Sequence, residues 1–258
     1  MSPVALLAFA WALAAALQLV LWLVSLRTRN AGIVDVGWAG AFSAVAVTFL
    51  TLSPQPLRQT AAATVMVALW SLRLAIYLIG RGAASGREEG RYAELRRKWA
   101  PHANRSFFVF FQAQAALVAI LSVGFVFPFA SPAQHGDWLL VVGAAVWLVG
   151  LVGETVADLQ LARWKRTAAP GAVCARGLWS WSRHPNYFFE TLVWVGYATY
   201  ATAFAFGYLA WVAPALIFAS IWKVTGIPAT EAQALRSRGD AYRAYQQRTS
   251  VFVPLPPR

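Results

Sequence analysis

Long apolar runs alternate along this chain with short polar stretches rich in arginine. A helix needs about 20 apolar residues to cross the hydrocarbon core of a bilayer. Segments 4–26, 33–52, 61–80, 107–129, 138–159, 187–205 and 207–222 approach or exceed that length and predict seven transmembrane helices. The last two are nearly continuous, and Gly207 is the expected break between them. No internal repeat or low-complexity tract interrupts the pattern, so residues 1–258 read as a single all-α transmembrane bundle.

Composition strengthens that reading. Of 258 residues, 59% are hydrophobic and 12% are charged, against about 25% charged in an ordinary soluble domain. A soluble enzyme, a disordered tail and a disulfide scaffold are excluded. Cys174 is the single cysteine, so no internal disulfide is possible. His102, His135 and His184 are scattered, and no metal site is expected.

The net charge of +12 raises the question of nucleic acid, and its distribution answers it. Arg27 and Arg29 follow the first segment; Arg81, Arg87, Arg91, Arg96, Arg97, Lys98 and Arg105 follow the third. Arg163, Lys165, Arg166, Arg176 and Arg183 follow the fifth; Lys223, Arg236, Arg238, Arg243, Arg248 and Arg258 follow the seventh. Only Arg58 falls on the opposite side, and Arg73 lies inside the third segment. The positive-inside rule makes the basic side cytoplasmic. The N-terminus is therefore expected outside and the C-terminus in the cytoplasm, with no nucleic-acid partner. The first segment lacks the basic start of a signal peptide, which favours a retained helix.

Charges inside a bilayer cost at least ~2.5–3.5 kcal/mol at a helix centre and tend to mark function. Asp35, Arg73, Glu154, Asp158 and Glu190 all fall in the expected cytoplasmic half. Their clustering suggests a polar cavity open to the cytoplasm, although internal ion pairs such as Arg73 with Asp35 would also account for single members. Glu154 and Asp158 share a helix face, as do Asn186 and Glu190, and Arg73 and Tyr77.

Three further stretches carry candidate chemistry. In Arg183-His184-Pro185-Asn186-Tyr187 a proline opens a helix beside an arginine, an arrangement suited to an anion or to a plain interfacial helix start. Asp158 is followed by Arg163, Lys165 and Arg166 at the membrane surface. A nucleotide suits that order, with the acid for ribose or base and the cations for phosphates; contact with anionic lipid is the alternative. No G-x-G-x-x-G or Walker A sequence is present. The polar tail from Gly226 to Pro254, with Glu231, Tyr242, Tyr245 and Arg248, reads as a helix on the cytoplasmic face.

The run Gly177-Leu178-Trp179-Ser180-Trp181-Ser182-Arg183-His184-Pro185-Asn186-Tyr187-Phe188-Phe189-Glu190 resembles the C-terminal domain of the steroid 5-alpha-reductase family, in its bacterial branch. The segment 32–38, the Arg73…Tyr77…Arg81-Gly82 spacing and the closing Tyr242-x-x-Tyr245-x-x-Arg248 fit the same resemblance, strongest over 150–255. It implies a seven-helix membrane reductase that uses NADPH to reduce a carbon–carbon double bond conjugated to a ketone, in a steroid-like lipid. It also implies a cofactor-binding half over 150–258, a cofactor site facing the cytoplasm, a bacterial inner-membrane location and a monomer.

By that resemblance Asp158 holds the adenosine, Lys165 contacts phosphate, and Asn186 with Glu190 lies near the nicotinamide. Glu154, Arg166, Arg183, His184, Tyr242, Tyr245 and Arg248 complete the expected cofactor set. Tyr77, held by Asp35 and accompanied by Arg73, is the expected proton donor. Tyr92, in the segment 88–92, is the second candidate. The family's Gln-Glu pair is missing from the matching early helix, and Trp70 stands where its catalytic tyrosine falls. The rival reading is an S-adenosylmethionine-dependent membrane methyltransferase similar to isoprenylcysteine carboxyl methyltransferase, which shares the Arg-His-Pro-x-Tyr run.

Overall fold

The computed structural model describes residues 1–83, 88, 90–224 and 226–257. Arg87 and Arg258 of the basic stretches, and Glu89 beside Tyr92, lie outside the described residues. The elements in chain order are α1 (Pro3–Thr28), α2 (Ile33–Leu52), α3 (Leu57–Gly80), α4 (Gly90–Lys98), α5 (Ala103–Leu121), α6 (Phe127–Ala130) and α7 (Trp138–Lys165). They continue with α8 (Leu178–Trp181), α9 (Pro185–Ala201), α10 (Val212–Lys223) and α11 (Ile227–Arg248). Among the described residues only two isolated bridges, Ala133 with Phe204 and Ser182 with Ser250, resemble strand pairing.

The protein is an all-helical membrane protein. Among the described residues six helices are long and apolar enough to cross a bilayer: α1, α2, α3, Ala103–Gly124, α7 and the stretch Gly207–Arg248. The expected seventh, segment 187–205, forms α9, which has 17 residues and ends at Ala201. At 1.5 Å per residue it spans about 25 Å. The apolar part of the Gly207 stretch is its beginning and α10; α11 carries six charged side chains and is too polar to cross. The fourth segment also stops early. Helix α5 gives way to a tight turn at Ser122–Gly124, and Phe125 leaves helical conformation.

The helices gather into two compact units. The first comprises Met1–Gln134 with Phe204–Gly207. Here α1 packs on α5 and α2 on α3. Ser71 donates to the Ala39 carbonyl (2.6 Å) and receives the Ser43 hydroxyl (2.8 Å), so two small polar residues hold α2 and α3 at close approach. Trp38, Phe42, Trp70, Phe49, Phe125 and Phe129 form a chain of edge-on and tilted ring contacts beside this seam.

The second unit comprises His135–Ala203 and Tyr208–Arg258. Its spine is α7 against α9, and glycines explain their closeness. A Cβ added at Gly143, Gly150 or Gly196 would lie 2.4–2.6 Å from backbone nitrogens of the facing helix. In a bilayer, where exclusion from water drives nothing, such small residues let helices gain contact by approach alone.

Candidate functional site

The second unit places the expected cofactor residues in two layers. Glu154 and Asp158 are both buried on α7, one turn apart, just beyond the Gly150 and Gly153 contacts with α9. On α9, Asn186 lies in the first turn, half-buried, and Glu190 follows one turn later. The Glu190 carboxylate accepts the Trp194 indole N–H (2.9 Å). Beyond Asp158 the helix runs on for two turns, so Lys165 and Arg166 emerge exposed at its end. Arg248, at the end of α11, is likewise exposed.

The loop between α7 and α9 is fastened to α7 from inside. Trp179 donates its indole N–H to the Ala157 carbonyl (2.9 Å), and Gln160 accepts the Leu178 amide (2.9 Å). Gly177 has φ +58°, and an added Cβ would meet the Gln160 side chain at 2.6 Å, so only glycine fits both the turn and the packing. Cys174 is buried in this loop, and burial pushes its thiol upward.

The second layer is a polar clasp centred on Glu231 of α11. The Arg183 guanidinium donates to both carboxylate oxygens (2.8 and 3.4 Å) and to the carbonyls of Gln246 (2.9 Å) and Thr249 (3.3 Å). His184 Nε2 lies 3.0 Å from Glu231 Oε1, the Tyr242 hydroxyl donates to the same oxygen (3.1 Å), and Gln246 donates to Oε2. Tyr245 donates to the carbonyls of Trp179 and Ser182. Backbone joins in: Arg183 N–H reaches the Ser250 carbonyl (2.8 Å), and the Ser182 hydroxyl reaches that of Phe252 (2.8 Å).

Burial alone would raise the Glu231 carboxyl. The hydrogen bonds from His184 and Gln246 and the charge of Arg183 outweigh it and hold the group near 2. Burial, with the Glu231 charge as the next cause, pushes the Tyr242 phenol up; burial and Tyr242 do the same to Tyr245.

The structure brings Arg183, His184 and Tyr242 onto Glu231, with Tyr245 alongside on the Trp179 and Ser182 carbonyls; the sequence marks Glu231 only as a tail residue, not as the partner of Arg183 and His184. Arg183 spends its donors on α11 and the residues after it. Nothing in the residue string distinguishes Glu231 from any other lone acid in a basic tail; the signal is its place opposite Arg-His-Pro, which only the fold supplies.

The expected proton-donor residues belong to the first unit. Asp35 lies in the first turn of α2, half-buried. Arg73 and Tyr77 are one turn apart on α3, also half-buried, with the Arg81 guanidinium 5.7 Å from the Tyr77 ring centre. Trp70 is fully buried. Tyr92 is buried in an apolar cluster with Ala31, Val34, Phe107 and Phe111.

Near it is a second ion pair. Glu88 accepts two bonds from Arg96 (2.8 and 2.7 Å) and the Ala31 amide (2.9 Å), which ties α4 to the turn that starts α2. Burial acts upward on Glu88, but Arg96 and the Ala31 amide hold it below its ordinary value. Among the described residues no group of three or more His, Cys, Asp or Glu is placed to hold a metal ion.

No curated protein matches the chain, and no solved structure does. One family model matches, described as a protein of unknown function (DUF1295), over residues 21–249. That span includes α2 through α11 with the clasp and both buried acids, and the chain belongs to the DUF1295 family.

Proposed function

We propose that this protein is a membrane reductase that uses NADPH to saturate a carbon–carbon double bond conjugated to a ketone, in a steroid or similar lipid enone. The observation that carries the reading is the order of groups along α7: two buried carboxylates one turn apart, then exposed cations at the helix end. A dinucleotide offers hydroxyls and an amine to the acids and phosphates to the cations, so the donor set fits it. The family is associated with steroid 5-alpha-reductase-like proteins, which supports the same reading. In it α9 is the seventh crossing; its 17 residues lie at the lower end of spanning lengths. The N-terminus is then outside, and the basic loops and α11 face the cytoplasm of a bacterial cell.

In this mechanism Asp158 and Glu154 would hold the adenosine hydroxyls, Lys165 and Arg166 would neutralise phosphate, and Asn186 with Glu190 would orient the nicotinamide end. When bound, a dinucleotide there would supply hydride chemistry at the β carbon of the enone. Tyr77 donates a hydrogen bond to the ketone oxygen as negative charge develops there, a role that suits a phenol held by a carboxylate. By the same resemblance Asp35 would be that carboxylate and Arg73 would set the local charge, and water would supply the balancing proton to the α carbon.

The test is a thermal-shift titration of detergent-purified protein with NADPH, NADH and S-adenosylmethionine. A ligand bound only to the native state raises its melting temperature by mass action. A rise with NADPH, lost in Asp158→Ala, is the expected result. A rise with S-adenosylmethionine alone would replace the reductase with a methyltransferase, and NADPH affinity unchanged in Asp158→Ala would remove the α7 assignment.

A further inference from the structure

The clasp performs a task that none of the assignments above gives it. Glu231 touches Arg183 and His184, the two residues immediately before Pro185, where α9 begins. Asn186 stands in the first turn of that helix and Glu190 one turn later. The carboxylate also accepts from Tyr242 and Gln246, 11 and 15 residues further along, past the non-helical Gly239 (φ 51°) that folds α11 back on the same point. His184 is 2% exposed and stacks on Tyr187 with ring centres 5.4 Å apart and planes 7° from parallel. The first turn of α9 is therefore fixed from its N-terminal side by a single carboxylate that receives four side chains. Four of the five Arg183 guanidinium N–H groups are committed to this arrangement, so phosphate contact falls to Lys165 and Arg166.

We infer that Glu231 is a positioning residue: it binds no cofactor, but it sets the position of α9 and so of Asn186 and Glu190. The inference rests on the dinucleotide reading of the second unit. A half-buried ion pair such as Arg183–Glu231 contributes little stability for its desolvation, since an apolar replacement is often as stable. Holding one defined geometry is the use that a many-bonded carboxylate serves well.

Two readouts test it on the full chain in detergent. The first is NADPH fluorescence titration, which gives both the dissociation constant and the number of competent sites. The second is maleimide labelling of Cys174, the chain's single cysteine, buried beside Val173 and Ala175, which pack against Ala234, Tyr242 and Tyr245 of α11.

In Glu231→Gln the dissociation constant is expected to rise at least tenfold with site number unchanged, and Cys174 labelling to accelerate by a similar factor. Glu231→Asp should recover part of both, and Tyr242→Phe, which removes one of the four side chains that bond the carboxylate, should show a smaller change. A structural role alone would reduce the number of competent sites and leave the dissociation constant as it was, and that result overturns the inference. So does faster labelling with unchanged affinity. If the wild-type protein binds no NADPH, the dinucleotide reading falls and takes this inference with it. The labelling arm still reports on the clasp in that case, so the two failures are distinct.

Discussion

Gly150→Ala asks whether the approach of α7 to α9 is as close as it is because it must be. The added Cβ would sit 2.6 Å from the Val193 nitrogen and 2.9 Å from the Phe189 carbonyl oxygen. Ordinary contact begins at 3.4 Å, so relief requires a displacement of 3.4 less 2.6, about 0.8 Å, between two backbones. Neither atom is the end of a flexible side chain, so the helices must part. Overpacking of this kind costs about 1–3 kcal/mol. For a chain of this length each kcal/mol moves the melting temperature by ~2–4 °C, which gives a fall of roughly 2–12 °C. Because Glu154 follows one turn later and Phe189 adjoins Glu190, NADPH affinity should fall in the same variant. The control is Gly40→Ala on α2, where an added Cβ meets nothing within 4 Å. It should be neutral or gain up to ~1 kcal/mol, as alanine replaces glycine in a helix. The assay is thermal unfolding in detergent with and without NADPH. A Gly150→Ala protein that melts at or above the wild-type temperature would refute the packing argument.

Acid should release the clasp. Glu231 is held near 2, below its ordinary 4.5, so its stabilisation is complete above about pH 4.5 and is lost as pH falls towards 2; the difference in melting temperature between wild type and Glu231→Gln should shrink across that window, and a constant difference would refute it. Glu88→Gln should cost about 1.5–3 kcal/mol, the range for hydrogen bonds to a charged group, measured as a lower melting temperature; Arg96→Ala should add little to it in the double variant. Tyr77→Phe should abolish turnover of an enone substrate while NADPH still raises the melting temperature; full turnover would move the donor role to another residue.

Much of the fold is written in run length. Helices α1, α2 and α7 begin within a residue of their apolar segments; at α1 the cap coincides as well, since Ser2 accepts from the Ala5 amide and Arg29 in left-handed conformation closes the helix. Helix ends are less legible. Helix α7 continues to Lys165, because Gln160-Leu161-Ala162-Arg163-Trp164 favours helix although the bilayer no longer requires it. Helix α9 ends inside an apolar run, in a turn where Phe206 takes φ +58°, a conformation that composition does not announce for phenylalanine. The acids divide in the same way. Glu154 and Asp158 are visible as costly groups in a hydrophobic run, whereas Glu88 and Glu231 sit in polar stretches where nothing in the string names their partners. Their weight comes from Arg96 and Arg183, which lie 8 and 48 positions away in the chain.

Those separations bear on how the second unit is made. The partners of Ser182 and Arg183 lie 48 to 70 residues downstream, and Leu255 N–H reaches back to the Trp181 carbonyl (3.0 Å). During synthesis α9 can form early, but its first turn cannot be fixed until residues through 255 have left the ribosome. The nascent unit therefore waits with an unclosed end, the stage at which membrane chaperones and proteases have access to it. Removing residues after Arg248 would delete few residues yet leave α9 permanently in that half-finished state, and a fusion placed at that end needs a flexible spacer beyond Leu255 if the seam is to close.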